Sequence, residues 1–215
     1  KRFVDHKLDN IFSSYDQLAE ESQRSQFNAL KYEIEKIRMT SQIQGYVITE
    51  FTDINWESNG LLDMWRNFKV YSIDLPFIQQ QNIIIPRPVK YNYWSGEEVE
   101  IDIYISHYRD KVLSDLKLEW KLDENISGAL KISELKNADV NKIESLTFSL
   151  PEVNESEKVR IDFTLMDNEG DTIAKNYSEL FVFEKRFTQT QDITVVDPNK
   201  NLEQLSKELE NNYRL

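Results

Sequence analysis

Cysteine is absent from the 215 residues of this chain, which excludes disulfides, thiolate metal sites and cysteine nucleophiles. Glycine is scarce at five residues, and neither a P-loop nor a dinucleotide fingerprint is present. No apolar run is long enough to span a bilayer, and no initiator Met or signal peptide precedes Lys1, so the chain reads as a soluble, excised or processed piece. Basic residues are outnumbered, with 26 Lys and Arg against 38 Asp and Glu and a net charge of -12. Nucleic acid and anionic membranes need a basic face to replace their counterions, so neither is expected as a partner. The two histidines, His6 and His107, lack ligand-like neighbours and read as surface or packing residues. Asp167-Asn-Glu-Gly-Asp171 is rich in oxygen ligands but lacks the spacing of a calcium loop and reads as a hairpin turn. No cofactor and no metal is therefore expected, while the compartment stays open between cytoplasm, periplasm and exterior.

Residues 1–42 are helical in character. Ser14 and Gln17 form a capping-box signature, and no Gly or Pro interrupts the run up to Gly45. Phe27, Leu30, Ile34 and Ile37 recur at helical spacing as one apolar stripe, with Lys31, Glu33, Glu35, Lys36 and Arg38 assigned to water. The stripe needs a cover, and the next apolar run, Tyr46 to Ile48, is the expected partner. That run reads as a strand buried on both faces.

Beyond Asn67 the texture changes. Pro76, Pro86 and Pro88 punctuate a stretch with few helix formers, and a domain boundary is expected near 70–82. From Asn82 to about Lys185 short alternating segments dominate, among them Val99, Ile101, Ile103 and Ile105, then Leu116, Leu118, Trp120 and Leu122, then Val159, Ile161, Phe163 and Leu165. Each would bury one face and wet the other, as in an antiparallel sandwich of roughly seven strands of the immunoglobulin type. Residues 187–215 read as a linker and the beginning of a further, truncated domain. The expected organisation is thus 1–70, a connector at 71–81, a sandwich at 82–186, and the tail.

The most distinctive stretch is Gly45-Tyr-Val-Ile-Thr-Glu-Phe-Thr-Asp-Ile-Asn-Trp-Glu-Ser-Asn-Gly-Leu-Leu-Asp-Met-Trp-Arg-Asn67. Glu50, Asp53, Asn55, Trp56, Glu57, Asn59 and Asp63 crowd the segment past the apolar run, and such a set can hold a sugar. Together with Ala29 to Arg38 ("ALKYEIEKIR") ahead of it, this stretch resembles the last helix and strand of the catalytic barrel in family 2 glycoside hydrolases, the β-galactosidase, β-glucuronidase and β-mannosidase group. The likeness is close over residues 27–69, and a β-sandwich following the barrel is common in that family. It implies an α+β fragment: a helix-strand remnant of the end of a (β/α)8 barrel followed by an antiparallel immunoglobulin-like β-sandwich. It also implies a carbohydrate substrate for the parent enzyme, and dimerisation through the exposed barrel edge is a fair expectation.

Retaining glycosidases need two carboxyl groups about 5 Å apart, one donating a proton and one attacking the anomeric carbon. The resemblance puts that pair at the ends of the fourth and seventh barrel strands, ahead of Lys1, so no catalytic residue is assigned here. Glu50, Asp53, Asn55, Trp56 and Glu57 are the substrate-binding candidates. Each has a plainer reading. Glu50 could be a buried, paired carboxylate, Trp56 could pack on the barrel rim instead of stacking on a pyranose, and Asp53, Asn55, Glu57 and Asn59 could serve turn geometry. Tyr91, Tyr93 and Trp94 either bind glycan from the sandwich or plug an interface. The expected function is a catalytically silent part of a retaining glycoside hydrolase. The alternative is a carbohydrate-binding or structural β-sandwich module.

Overall fold

A computed structural model describes residues 2–185, and the tail expected at 187–215 lies outside the described residues. After a short helix α1 (Arg2–Asp5) and a 3-10 turn comes the long helix α2 (Tyr15–Met39). Ser14 caps α2, its Oγ accepting from the Gln17 amide at 3.1 Å. The Gln17 carboxamide reaches back to the Ser13 amide and so satisfies another free N–H at the helix start. A single turn, α3 (Leu75–Ile78), precedes eight strands. They are β1 (Asn82–Pro88), β2 (Asn92–Trp94), β3 (Glu98–His107), β4 (Leu113–Lys121), β5 (Ser127–Leu135), β6 (Asp139–Ser149), β7 (Glu157–Met166) and β8 (Thr172–Phe183).

The strands form two sheets, ordered β1-β3-β6 and β2-β8-β7-β4-β5. Between them lies a core built on the alternation visible in the sequence. Val99, Ile101, Ile103 and Ile105 of β3 face Leu116 and Leu118 of β4 and Ile161, Phe163 and Leu165 of β7, all essentially buried. The expected seven-stranded antiparallel immunoglobulin-like sandwich is corrected on two counts. Among the described residues there are eight strands, and β2 runs parallel to β8, with Tyr93 opposite Val182.

The barrel remnant is overturned. Residues 46–51 form no strand; Val47 is 90% exposed, and the only ladder contacts between residues 46 and 68 are isolated bridges such as Thr52 with Leu62. The stripe of α2 is covered instead by β1. Phe27 and Ile34 are buried in a second cluster with Tyr71, Ile78, Ile83, Ile85 and Tyr177, and Leu30, Tyr46 and Ile48 pack at its margin. Phe27 stacks on Tyr71 with ring centroids 5.4 Å apart. β1 is therefore a strand between two cores, Ile84 pointing into the sandwich while Ile83 and Ile85 point at the helix. This is why its run of isoleucines is continuous instead of alternating.

Of the prolines that punctuate this stretch, Pro76 lies in α3, while Pro86 and Pro88 lie in β1 with their nitrogens turned away from β3. Val89 bonds to Glu100 of β3, whereas the Ile84 carbonyl accepts from Asn176 Nδ2 of β8 at 2.5 Å. Pro86 and Pro88 share the parity of Ile84, so their missing N–H groups remove no bond to β3. They also leave β1 and β8 without a ladder, and the two sheets stay separate.

A pinned aromatic turn and a groove beside the helix

The motif residues fold into an irregular loop held by a buried lysine. Lys69 is 3% exposed and its ammonium donates to Asp53 Oδ1 (2.9 Å), Gln26 Oε1 (2.9 Å) and the Ser58 carbonyl (3.0 Å). Three donors thus meet three acceptors, the condition under which a buried ammonium is tolerated. Asp53 Oδ1 also accepts from the Gly60 amide at 2.8 Å. Gln26 of α2 donates to the carbonyls of Asn59 and Gly60, and the Tyr71 hydroxyl donates to Gly60 O at 3.2 Å. Gly60 lies so close to the backbone of Thr52 and Asp53 that only a hydrogen fits where a side chain would begin.

What this knot holds out is a tight turn. Ile54 and Glu57 exchange backbone bonds of 2.9 and 3.1 Å, so Asn55 and Trp56 occupy its tip and Trp56 is 82% exposed. A second turn follows, in which Asp63 Oδ1 accepts from the amides of Trp65 and Asn67, at 2.9 and 2.8 Å. The Asn67 side chain also donates to Asp63, and that bond is the main reason the carboxyl is held below its ordinary value. Trp65 and Phe68 are exposed beside it.

The five sequence candidates are therefore brought into one loop but not into one pocket. Asp53 is committed to Lys69. Glu57 is exposed and Asn55 stands with Trp56 at the tip. Glu50 is half-buried, and its Oε1 is enclosed with no hydrogen-bond partner among the described residues. Asp63, like Asp53, serves the architecture of the loop. On the sandwich, Tyr93 is core, while Trp94 is exposed and meets Phe183 edge to face at 6.2 Å. His107 is fully buried, its ring nitrogens 2.6 Å from Asn82 Oδ1 and 2.8 Å from the Lys111 carbonyl.

A groove that the sequence did not announce runs between α2 and β8, with a volume of about 290 Å³. At its base Glu35 is 6% exposed and is ion-paired to Lys31 one helical turn earlier. Glu35 Oε1 also accepts from Asn176 Nδ2 at 2.8 Å. The Lys31 ammonium lies 5.1 Å from the Tyr177 ring centroid, and Arg160 covers the same ring at 3.7 Å. Burial pulls Lys31 below its ordinary value, against the opposing pull of Glu35. The Tyr177 phenol is pushed up, chiefly by burial. Both charges of this pair stood on the face that helical spacing assigns to water, and only the packing of α2 against β8 reveals them.

Among the described residues no helix is long and apolar enough to cross a membrane, and no group of three or more His, Cys, Asp or Glu is arranged to hold a metal ion.

No curated protein matches the chain. Solved structures similar over part of it include the following two. The sporulation control protein Spo0M of Bacillus subtilis is 13% identical, with 48% of this chain and 49% of that one covered and a TM-score of 0.34. The alkylpurine DNA glycosylase AlkC of Pseudomonas fluorescens, bound to DNA containing an abasic site analog, is 8% identical, with 48% and 31% covered and a TM-score of 0.34. The chain thus spans about half of the first structure and less than a third of the second. A family model described as a domain of unknown function, DUF8488, matches residues 97–184, the segment from the start of β3 to the end of β8.

Proposed function

We propose that this chain is a non-catalytic part of a retaining glycoside hydrolase similar to family 2, and that it meets carbohydrate through the turn carrying Asn55, Trp56 and Glu57. The observation that carries the reading is a tryptophan 82% exposed at the tip of a turn whose base is locked by a buried lysine. An indole held out rigidly in water offers a flat apolar face at little ordering cost, which suits the C–H face of a pyranose. Asn55 and Glu57 beside it supply a donor and acceptors for ring hydroxyls. The wording of residues 27–69 resembles that family, but the barrel strand it implied is not formed, so the substrate class rests on the turn.

On this reading the chain supplies neither carboxylate of the reaction. Asp53 and Asp63 are spent on the loop, and the two acids of the parent belong to residues other than these. Parent turnover would follow the two-carboxylate route on a terminal β-linked sugar, with this chain bordering the substrate.

The test has two readouts. Chromogenic β-galactosides, β-mannosides and β-glucuronides should not be hydrolysed by the chain; measurable turnover lost in Glu50→Gln overturns the non-catalytic assignment. Calorimetric titration with the same sugars should show weak binding that Trp56→Ala lowers at least tenfold and Trp94→Ala leaves unchanged. Binding lost in Trp94→Ala and kept in Trp56→Ala would favour the second reading, a carbohydrate-binding sandwich, for which the exposed Trp94 and Phe183 pair is the specific observation.

A further inference from the structure

We infer that the groove between α2 and β8 is a second ligand site, separate from the Trp56 turn, and that it takes a single neutral sugar ring. The argument starts from its buried ion pair. Taking Lys31 and Glu35 out of water costs several kcal/mol that their attraction only roughly offsets, and apolar residues of similar volume stabilise such positions as well or better. Packing alone therefore gives no reason for a pair of charges at the base of a groove.

The pair is also incompletely used. Glu35 Oε1 takes both the Lys31 and the Asn176 bonds, and Oε2 has no bond among the described residues. The Lys31 ammonium has three donors and spends one of them on Glu35. A donor and an acceptor side by side in a half-open groove match two neighbouring hydroxyls, each of which can accept from the amine or donate to the carboxylate.

The walls specify the rest of the ligand. Tyr32, Tyr91 and Phe181 line the groove and are 50%, 43% and 47% exposed, so aromatic surface borders a polar base, with Lys36 and Arg87 over the Tyr32 ring at 5.6 and 5.8 Å. Tyr91 is fixed in place because its carbonyl accepts from the Phe181 amide at 2.8 Å. Aromatic faces over paired hydrogen-bonding groups are complementary to a ring with C–H groups on its faces and hydroxyls on its edge.

The lining ammoniums and carboxylates are matched, Lys31 with Glu35 and Lys158 with Glu179 at 3.0 Å, and a neutral polyol leaves both pairs intact. Arg87 stands over the Tyr32 ring, and the glucuronate control tests whether it draws an anion instead. The volume of about 290 Å³ lies at the small end of ligand pockets and suits one ring, not a chain.

The experiment is amide chemical-shift mapping of the whole chain with methyl β-galactoside, methyl β-glucoside, methyl β-mannoside and, as the charged control, glucuronate. At least one neutral glycoside should move the amides of Tyr32, Ser178 and Phe181 with a Kd on the order of 1 mM. Tyr91→Ala, an exposed change that leaves the buried pair intact, should weaken this at least tenfold; Trp56→Ala should leave it unchanged. Glu35→Gln should weaken it too, and Tyr91→Ala decides the matter if that variant fails to fold. The inference is overturned if no neutral glycoside moves these amides at tenfold that concentration, if glucuronate binds there more tightly, or if Trp56→Ala abolishes the shifts and Tyr91→Ala does not. That last outcome would leave the proposed function standing and remove only the second site.

Discussion

Lys69 Nζ lies 2.9 Å from Asp53 Oδ1, with side chains 2% and 15% exposed, and this pair joins the motif loop to the body of the protein. Removing one partner leaves the other charge buried and unanswered, which is costlier than losing the pair. Lys69→Met is expected to destabilise the chain by about 3–5 kcal/mol in urea unfolding. Adding Asp53→Asn should return part of that loss, and a double variant no more stable than Lys69→Met would show that the pair is not the origin of the effect.

Gly60 tests the same knot through sterics. A Cβ there would come within 2.6 Å of the Thr52 carbonyl carbon and 2.8 Å of Asp53 Oδ1, and backbone cannot step aside as a flexible side chain can. Gly60→Ala should cost about 1–3 kcal/mol and shift the amides of residues 52–62 and of Gln26. A spectrum unchanged at Gln26 would argue against the coupling of turn and helix.

Trp56 should behave in the opposite way. With 82% of its surface in water, it contributes little to folding. Trp56→Ala is expected to alter stability by no more than about 0.5 kcal/mol even as it removes sugar binding. A loss of stability beyond that range would mean the indole is a structural prop.

Alkaline pH should reveal Tyr71. Burial pushes its phenol up to about 12, with the Asp53 charge adding to the rise, whereas an unfolded tyrosine titrates near 10. The unfolded chain thus loses this proton first. The contribution of Tyr71 is complete below pH 10 and is lost as pH rises toward about 12, a decline of roughly 2–3 kcal/mol. Tyr71→Phe cannot ionise, so the difference between its stability curve and that of the parent should narrow across this window. A constant difference would contradict the shift.

What could be read from the sequence was whatever depends on one wet face and one dry one. The alternation of β3, β4 and β7 and the cap at Ser14 carried over directly into structure, because period and capping are local properties. The failures share a cause in burial on two sides. β1 falls within the expected sandwich but is not legible as a strand, because its isoleucines do not alternate and Pro86 and Pro88 look like breakers. The 46–48 run reads as a doubly covered strand, yet Tyr46 and Ile48 face the core while Val47 faces water. β5 gives a weak signal because its alternation is short: Leu130 and Ile132 face inward, and Glu134 breaks the period before Leu135.

The candidate site was legible only in part, and for a related reason. The loop announced itself through its unusual crowding of carboxylates and aromatics. Its anchor did not, since a lysine in a polar stretch looks like any solvated lysine until Gln26, Asp53 and Ser58 close around it. The same holds for Lys31 and Glu35, which helical spacing alone assigns to solvent.

The two prolines of β1 carry a final implication for behaviour at high concentration. A free strand margin with unsatisfied amides invites stray chains to add on and grow into fibrils. Pro86 and Pro88 have no amide hydrogen to offer on that margin, and Asn176 already occupies the carbonyl of Ile84. The smaller sheet thus carries its own protection against aggregation along that side.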